Sequence, residues 1–469
     1  MATIIDKTRQ DKTRQDNLLS SGMGTGGIEW FYVLFMLFAG ISLAFLTPVF
    51  QIPDEPNHFA RAWQISEGTL ASPVHNLSNK NNLVSFVPSV FFQEKYVGNI
   101  VQSEGRYSFK DIADFMSEPV NASRDMRTIN NTGSYAPIVY FPQALGAYVV
   151  RSVGGTAGEI YYAMRIGAVL FSALCVFMAI RLLPEKGLLI FLLAMMPMYL
   201  AESASIAADA VVFGGCMLVS AYILSLTRCE DRLTVRQCVA LIVMAVIVGL
   251  LKQVYGTVLL LYFLMPYKRL GSRKKYYSFG VIMLAVCLVS SFVWLYFSVS
   301  RHGVSFALNK ADISAQMEFI KENPFRFLKI IIRSNIILMK FYVNSFIGQL
   351  GWLNLGMPIW FKAIYIFLIA AGAALGRLNI SIKHRIIMIL GFAATVLALD
   401  MYEYFAWDQP GSLIIEGVQG RYFIPVSLMA LSAFSFLRNI KHEKEVACLV
   451  SIMSIAVTLA RTYNYFYMS

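Results

Sequence analysis

The stretch PDEPNHFARAWQISEG (53–68) places two carboxylates, a histidine and an arginine directly after an apolar run. Pro56 disfavours helical geometry at the residue before it and suits the first turn of a helix, so a helix is expected to begin here with one of the carboxylates at its cap. If the helix includes Asp54, then Asp54, His58 and Arg61 share one face. One carboxylate could serve only as a cap, and Arg61 could extend to lipid headgroups. Neither role explains why all four groups are concentrated at a membrane boundary, where ionisable residues that line a cavity are functional by default.

Two basic residues elsewhere are candidates for binding an anion. Arg421 begins an apolar run after a loop, 403–420, that contains no Lys or Arg. Guanidinium binds phosphate in a fork, so Arg421, with its neighbour Tyr422, is a candidate phosphate partner; the alternative is an anchor among headgroups. Lys252 lies between two short apolar segments and is equally compatible with a phosphate partner and with an ordinary loop lysine.

Other residues are weaker candidates. Tyr140 and Trp352 could stack on a sugar, although aromatic residues at a membrane interface are commonly anchors. Asp209 lies about one turn inside an apolar segment, where a cap or a hydrogen bond between helices is favoured over substrate contact. The histidines and the six cysteines show no metal-type spacing, so no metal site is predicted from them.

The elements that must position these residues are membrane helices. The chain is 57% hydrophobic and only 14% charged, whereas a soluble domain carries about 25% charged residues. The composition therefore predicts an all-α, polytopic membrane protein. The net charge of +12 is explained by Lys and Arg in cytoplasmic loops, and no nucleic-acid partner is expected.

Apolar runs predict eleven transmembrane helices in a single domain, 29–469, that follows a cytoplasmic tail, 1–28. They cover about 29–50, 160–180, 187–202, 206–227, 236–251, 253–267, 277–299, 358–376, 386–402, 421–437 and 446–465. With the N-terminus in the cytoplasm, the basic short loops all lie inside, which agrees with the positive-inside rule.

Two long segments, 51–159 and 300–357, are then outer loops. The run YAPIVYFPQALGAYVV (135–150) could span the membrane, but every later loop would then change sides and YKRLGSRKK would lie outside. A helix at the outer surface, or one that dips in and returns, is therefore expected for 135–150 and also for the mixed basic and apolar segment 323–354.

The order of the motifs resembles the membrane-embedded glycosyltransferases of the GT-C superfamily, which include protein mannosyltransferases and the aminoarabinose transferase of lipid A. In those enzymes the first outer loop opens with an Asp-Glu pair and later carries a Pro-rich stretch; DEPNHFARAWQISEG and YAPIVYFPQALG are similar. The chain is more similar still to a family of predicted membrane proteins of unknown function. That likeness runs from about residue 30 to 440 through PDEPNHF, YAPIVYFPQALG, PMYLAESASIAADA, LLKQVYGTVLLL, GWLNLGMP and QGRYFIP.

The resemblance implies a GT-C-like bundle with interfacial helices and an active site on the outer side of the bacterial inner membrane. It implies a polyprenyl-phosphate-linked sugar as donor, a glycan or lipid acceptor such as O-antigen or another surface polysaccharide, and inversion at the anomeric carbon. Asp54 matches the superfamily's catalytic base, and Glu55 would support it or bind a divalent cation. The residues expected to bind substrate are His58, Arg61, Tyr140, Lys252, Trp352, Arg421 and Tyr422.

Two other functions compete with this interpretation. A polysaccharide polymerase or ligase also uses polyprenyl-linked substrates and outer-loop arginines, but it would not need the early Asp-Glu pair. A transporter or flippase of lipid-linked glycans often has internal repeats and helices broken at matching positions. No clear repeat is visible here, and the polar motifs cluster at one face of the membrane.

Overall fold

The computed structural model describes residues 27–93, 107–305 and 311–468, so most of the predicted tail lies outside the described residues. The α-helices are α1 (Ile28–Leu46), α2 (Glu55–Ser66), α3 (Phe109–Met116), α4 (Phe141–Ser152), α5 (Ala157–Leu182), α6 (Gly187–Ala194), α7 (Pro197–Ser203), α8 (Asp209–Leu226), α9 (Val235–Leu251), α10 (Arg273–Ser298), α11 (Ile313–Glu322), α12 (Pro324–Ile347), α13 (Ile359–Ala374), α14 (Ile382–Ala406), α15 (Ile424–Ser432) and α16 (Glu443–Tyr467). The strands are β1 (Val74–Leu77), β2 (Lys80–Pro88), β3 (Arg124–Thr128), β4 (Gln349–Leu350) and β5 (Leu355–Gly356). The 3-10 helices are Ser89–Phe92, Pro137–Tyr140, Pro184–Lys186, Gln253–Leu264, Tyr267–Leu270, Ser300–His302 and Gly420–Phe423.

Length and composition allow seven of the described helices to cross a membrane: α1, α5, α8, α10, α12, α14 and α16. The stretch from Pro184 to Ser203 would be an eighth span, but it is bent by 77° at the break between α6 and α7. The predicted spans 236–251, 253–267, 358–376 and 421–437 correspond to helices that are shorter than a full crossing. A polytopic helical membrane protein is thus confirmed, whereas the number of eleven spans stays a prediction.

Burial separates central from peripheral helices. The apolar window of α8 is 78% buried and that of α5 is 56% buried, whereas the other candidate spans are 22% to 39% buried. Large apolar side chains such as Phe292 on α10 and Leu390 on α14 are exposed. An apolar outer surface around a buried centre is what a lipid-facing bundle requires.

The segment 51–159 is not purely helical, which corrects the all-α prediction for this loop. An antiparallel sheet in the order β1-β2-β3 packs against α2. Ser78 and Asn79, both with positive φ, form the two-residue turn between β1 and β2, as in tight β-hairpins. The predicted surface segment 135–150 forms a 3-10 turn and the 12-residue helix α4. A helix of that length is only about 18 Å long and cannot cross the hydrocarbon core alone.

The contacts of α12 favour a position along one face of the bundle, although the helix is long enough to span. Phe327, near its start, packs on Tyr404 at the end of α14, with ring centroids 4.9 Å apart. Near its end, Ser345 accepts a hydrogen bond from the backbone of Gly420 at 2.8 Å. Tyr404 and Gly420 lie at the two ends of a single loop between α14 and α15. Because the two ends of α12 contact residues that flank the connection between α14 and α15, the helix runs beside that connection.

Candidate functional site

Asp54 lies just outside the helix that was expected to contain it. Helix α2 begins at Glu55, and Asp54 occupies the N-cap position with φ 61°, in the left-handed region. Its side chain makes no capping bond; Oδ1 instead accepts a hydrogen bond from Nδ2 of Asn131 at 3.1 Å. Aspartate is among the few residue types that tolerate this conformation. The turn therefore directs the carboxylate away from the helix that it precedes.

Glu55 is engaged in a buried ion pair. Its two carboxylate oxygens accept hydrogen bonds from Nε and Nη2 of Arg165, at 3.0 and 2.7 Å, and both side chains are fully buried. Arg165 also donates to the carbonyls of Ala44, Thr47 and Pro48. The pair thus ties the end of α1, the loop after it and the start of α2 to α5, and we assign Glu55 a positioning role.

Arg421 and Lys252 meet two carboxylates from PMYLAESASIAADA. Nη1 of Arg421 donates to Glu202, and Nε of Arg421 lies 3.6 Å from Asp209. Nζ of Lys252 lies 3.3 Å from the other oxygen of Asp209. The side chain of Arg421 is only 4% exposed, whereas that of Lys252 is 19% exposed. Arg421 is therefore held inside the protein, and Lys252 is the more accessible cation.

The environment of Asp54 combines burial with nearby charges. Burial raises the pKa of the Asp54 carboxyl above its usual value, Arg421 and Lys252 oppose that rise, and Asp209 adds to it. Raised basicity suits a proton acceptor, because general bases work best with a pKa close to the operating pH.

His58 and Arg61 occupy the same helix but have different partners. The hydroxyl of Tyr140 lies 2.6 Å from Nδ1 of His58. Burial lowers the pKa of His58 to about 3, so the ring is neutral at physiological pH. Arg61 is fully buried and donates through Nη2 to the carbonyls of Leu70 and Tyr135 at 2.6 and 2.9 Å. Arg61 therefore fastens α2 to the loop, and His58 and Tyr140 form one hydrogen-bonded unit.

An open cavity adjoins this cluster. It has an empty volume of about 760 Å³, part of which is open solvent. Lys252 and Glu403 are its charged lining residues, and its aromatic lining residues are Tyr135, Tyr255, Trp294, Tyr402 and Tyr422. The ammonium of Lys252 lies 5.2 Å from the ring centre of Tyr135 and 5.3 Å from that of Tyr422. One cation, one carboxylate and an aromatic wall thus face the same space.

Trp352 is placed apart from the cavity lining. Its indole N–H donates to the carbonyl of Phe50 at 3.1 Å, which fastens the β4–β5 turn to the loop after α1. Within the described ranges no group of three His, Cys, Asp or Glu side chains is arranged to hold a metal ion. A divalent cation at Glu55 stays an expectation drawn from the resemblance alone.

A family model described as a predicted membrane protein, DUF2142, matches residues 37–430. The chain belongs to this family. No curated protein and no solved structure matches it. The resemblance to the predicted-membrane-protein family is thereby confirmed, and the matched region of this DUF2142 member contains every candidate residue from Asp54 to Tyr422.

Several residues of the site were not predicted. Glu202, Glu403 and Arg165 are ionisable residues inside or beside apolar segments, and that placement alone marks a residue as a candidate. Asp209 was expected to cap a helix or to bond between helices; it lies in the first turn of α8 and pairs with Lys252. Trp294 and Tyr402 carry no signal that separates them from the many aromatic residues of this sequence.

Proposed function

We propose that this DUF2142 family member is a membrane glycosyltransferase of the GT-C type. It would move a sugar from a polyprenyl-phosphate donor to a glycan or lipid acceptor at the outer face of the bacterial inner membrane. The observation that supports this most strongly is a single arrangement: Lys252 lines an open cavity with aromatic walls, pairs with Asp209 at 3.3 Å and, with Arg421, favours the ionised form of the Asp54 carboxyl.

The proposed reaction is one displacement at the anomeric carbon. The acceptor hydroxyl attacks that carbon while Asp54 takes the hydroxyl proton. The bond from the anomeric carbon to the phosphate oxygen breaks, and polyprenyl phosphate leaves with the electron pair. A single displacement inverts the configuration, and positive charge next to the leaving oxygen stabilises the developing phosphate.

Lys252 is the better candidate for the phosphate. Arg421 was the preferred partner from sequence, but Glu202 and Asp209 already engage its guanidinium. Binding phosphate there would leave buried carboxylates without their partner, which is strongly unfavourable. Lys252 is partly exposed, lines the cavity and has a single carboxylate neighbour at 3.3 Å. In this proposal Arg421 holds the acidic residues in place, and Lys252 contacts the donor.

The cavity walls suit a sugar. Pyranose rings offer an apolar face that packs on aromatic rings, while their hydroxyls bond to carboxylates and hydroxyls. Tyr135, Tyr402, Tyr422 and Trp294 supply the rings, and Glu403 supplies the carboxylate. Glu403 also interacts electrostatically with Lys252 and Asp54. A sugar bound here would lie beside Lys252, the proposed phosphate partner.

Glycan analysis of a deletion strain tests the proposal. Surface glycans from the strain should lack one sugar substituent, and the wild-type gene should restore it. Asp54→Asn should not restore it at matched membrane levels, whereas Asp125→Asn, which changes an exposed aspartate of the same loop, should. Shortened polysaccharide chains would instead indicate a polymerase. Accumulation of a complete lipid-linked glycan on the inner side would indicate a flippase, and either result would overturn the proposal.

A further inference from the structure

Helix α12 has three faces of different character. The side chains of Phe327, Ile330, Ser334, Tyr342 and Ser345 are buried against the bundle. Six exposed apolar side chains share another face: Phe325, Leu328, Ile332, Ile336, Met339 and Val343; a seventh, Ile337, lies between the basic and the buried faces. The exposed basic side chains are Arg326, Lys329, Arg333 and Lys340. At 3.6 residues per turn, the four basic residues fall within about 60° of arc, next to an apolar arc of about 80°.

The basic face carries unbalanced positive charge. Residues 324–347 contain four basic side chains and no Asp or Glu. None of the four lies within ion-pair distance of a carboxylate in the described part of the chain. The guanidinium of Arg326 lies 5.6 Å from the ring centre of Phe319. Four like charges side by side without counter-charges repel one another and attract a partner of opposite sign.

The docking of α12 fixes where these faces point. Oγ of Ser334 accepts from the backbone of Ile415 at 2.9 Å, and Asn335 donates to Asp400 at 2.6 Å. A Cβ at Gly420 would overlap the carbonyl oxygen of Tyr342, so the two backbones are in close contact. The helix is thus held along the loop between α14 and α15. In a bilayer, its apolar face would meet the hydrocarbon, and its basic face would lie at the depth of the headgroups.

We propose that the basic face of α12 binds the phosphate groups of anionic phospholipids in the surrounding bilayer. Lys and Arg beside an apolar stripe extend their charged ends to headgroups while their stems stay in apolar surroundings. This site lies apart from the cavity, and lipid binding there does not depend on transferase activity. Because α12 packs directly on the turn that carries Arg421, bound lipid would also stabilise the position of that turn.

Spin-labelled lipids measure this preference directly. The full-length protein is placed in phosphatidylcholine vesicles that contain spin-labelled phosphatidylglycerol or phosphatidylcholine, and the protein-bound fraction of each label is compared. Wild type should prefer phosphatidylglycerol. The variant R326Q/K329Q/R333Q/K340Q should lose that preference, by up to about fivefold for each charge removed.

Charge-matched controls separate this face from general surface charge. The variant K80Q/K110Q/K321Q/K441Q removes four exposed charges that lie on separate elements and should keep the preference. The pairs R326Q/K329Q and R333Q/K340Q should each lose part of it, which covers poor folding of the fourfold variant. An unchanged preference for phosphatidylglycerol in both double variants, or an equal loss of it in the fourfold control variant, would overturn the proposal. Wild-type protein that retains polyprenyl phosphate but shows no preference for phosphatidylglycerol would overturn it as well.

Discussion

Glu55→Gln should destabilise the fold far more than a surface substitution does. Glu55 and Arg165 are fully buried and joined by two hydrogen bonds of 3.0 and 2.7 Å. The amide would leave the guanidinium buried without its counter-charge, and its NH2 group could not accept the second of the two hydrogen bonds from Arg165. Breaking one side of a buried pair typically costs about 3–5 kcal/mol. Since about 1.4 kcal/mol is tenfold, the unfolding equilibrium should shift roughly a hundredfold to several-thousandfold.

The assay is unfolding of the purified protein in one detergent, followed by tryptophan fluorescence in increasing denaturant. Glu67→Gln is the matched control, because Glu67 pairs with Arg124 at 2.6 Å and with Arg151 at 3.4 Å, and these arginines are 44% and 28% exposed. Exposed pairs contribute about 0–1 kcal/mol. Equal effects of the two variants would refute the positioning role of Glu55. A small effect of Glu55→Gln with complete loss of transfer would instead make Glu55 a catalytic residue.

Three further outcomes are expected. Because burial raises the pKa of Asp54 and a general base must be deprotonated, transfer measured against pH should fall on the acidic side at a higher pH than an ordinary aspartate would give; an acidic limb at or below the usual aspartate pKa would contradict this. Because burial lowers the pKa of His58 to about 3, the pH dependence of transfer between pH 5 and 8 should have the same shape in His58→Gln as in wild type. A titration step that is present in wild type and absent from the variant would mean that the imidazole titrates in this range. Gly420→Ala places a Cβ against the carbonyl of Tyr342 and should lower the midpoint of denaturant unfolding, whereas Gly356→Ala, with open space around it, should not; equal midpoints would refute the close contact.

The start of the site loop was predictable because its signals are local. Pro56 marks the first turn of α2, and the structure begins the helix one residue before it, at Glu55. The prediction that Asp54, His58 and Arg61 share one helix face was wrong. Asp54 precedes the helix, adopts a left-handed conformation and accepts a hydrogen bond from Asn131. A short polar side chain can replace a regular cap with a distant partner, and local sequence does not name that partner.

The roles of the charged residues depended on distant partners. Glu55 and Arg165 are 110 positions apart, and Arg421 and Glu202 are 219 apart. The sequence indicates the type of chemistry that each charged residue can perform. It does not show whether another residue of the protein already neutralises that charge. That distinction changes the preferred phosphate partner from Arg421 to Lys252.

The small sheet had a signal that was overlooked. Residues 74–88 contain two short segments separated by Ser78 and Asn79, and Asn is a common residue at positive φ in a two-residue hairpin. The hydrophobicity of the surrounding chain favoured helices throughout. In contrast, the positions of the long apolar helices followed directly from the length of their apolar runs.

Sugar transfer by the purified protein tests the central claim most directly. The protein is reconstituted in vesicles with a labelled polyprenyl-phosphate sugar and a lipid-linked glycan acceptor, and labelled product is measured over time. Wild type should form product, and Asp54→Asn should be slower by about 10²–10⁴-fold at equal folded protein, because the amide cannot accept the proton. Asp125→Asn should match wild type. Near-normal transfer by Asp54→Asn, or no transfer by wild type from any lipid-linked sugar accumulated in the deletion strain, would contradict the account.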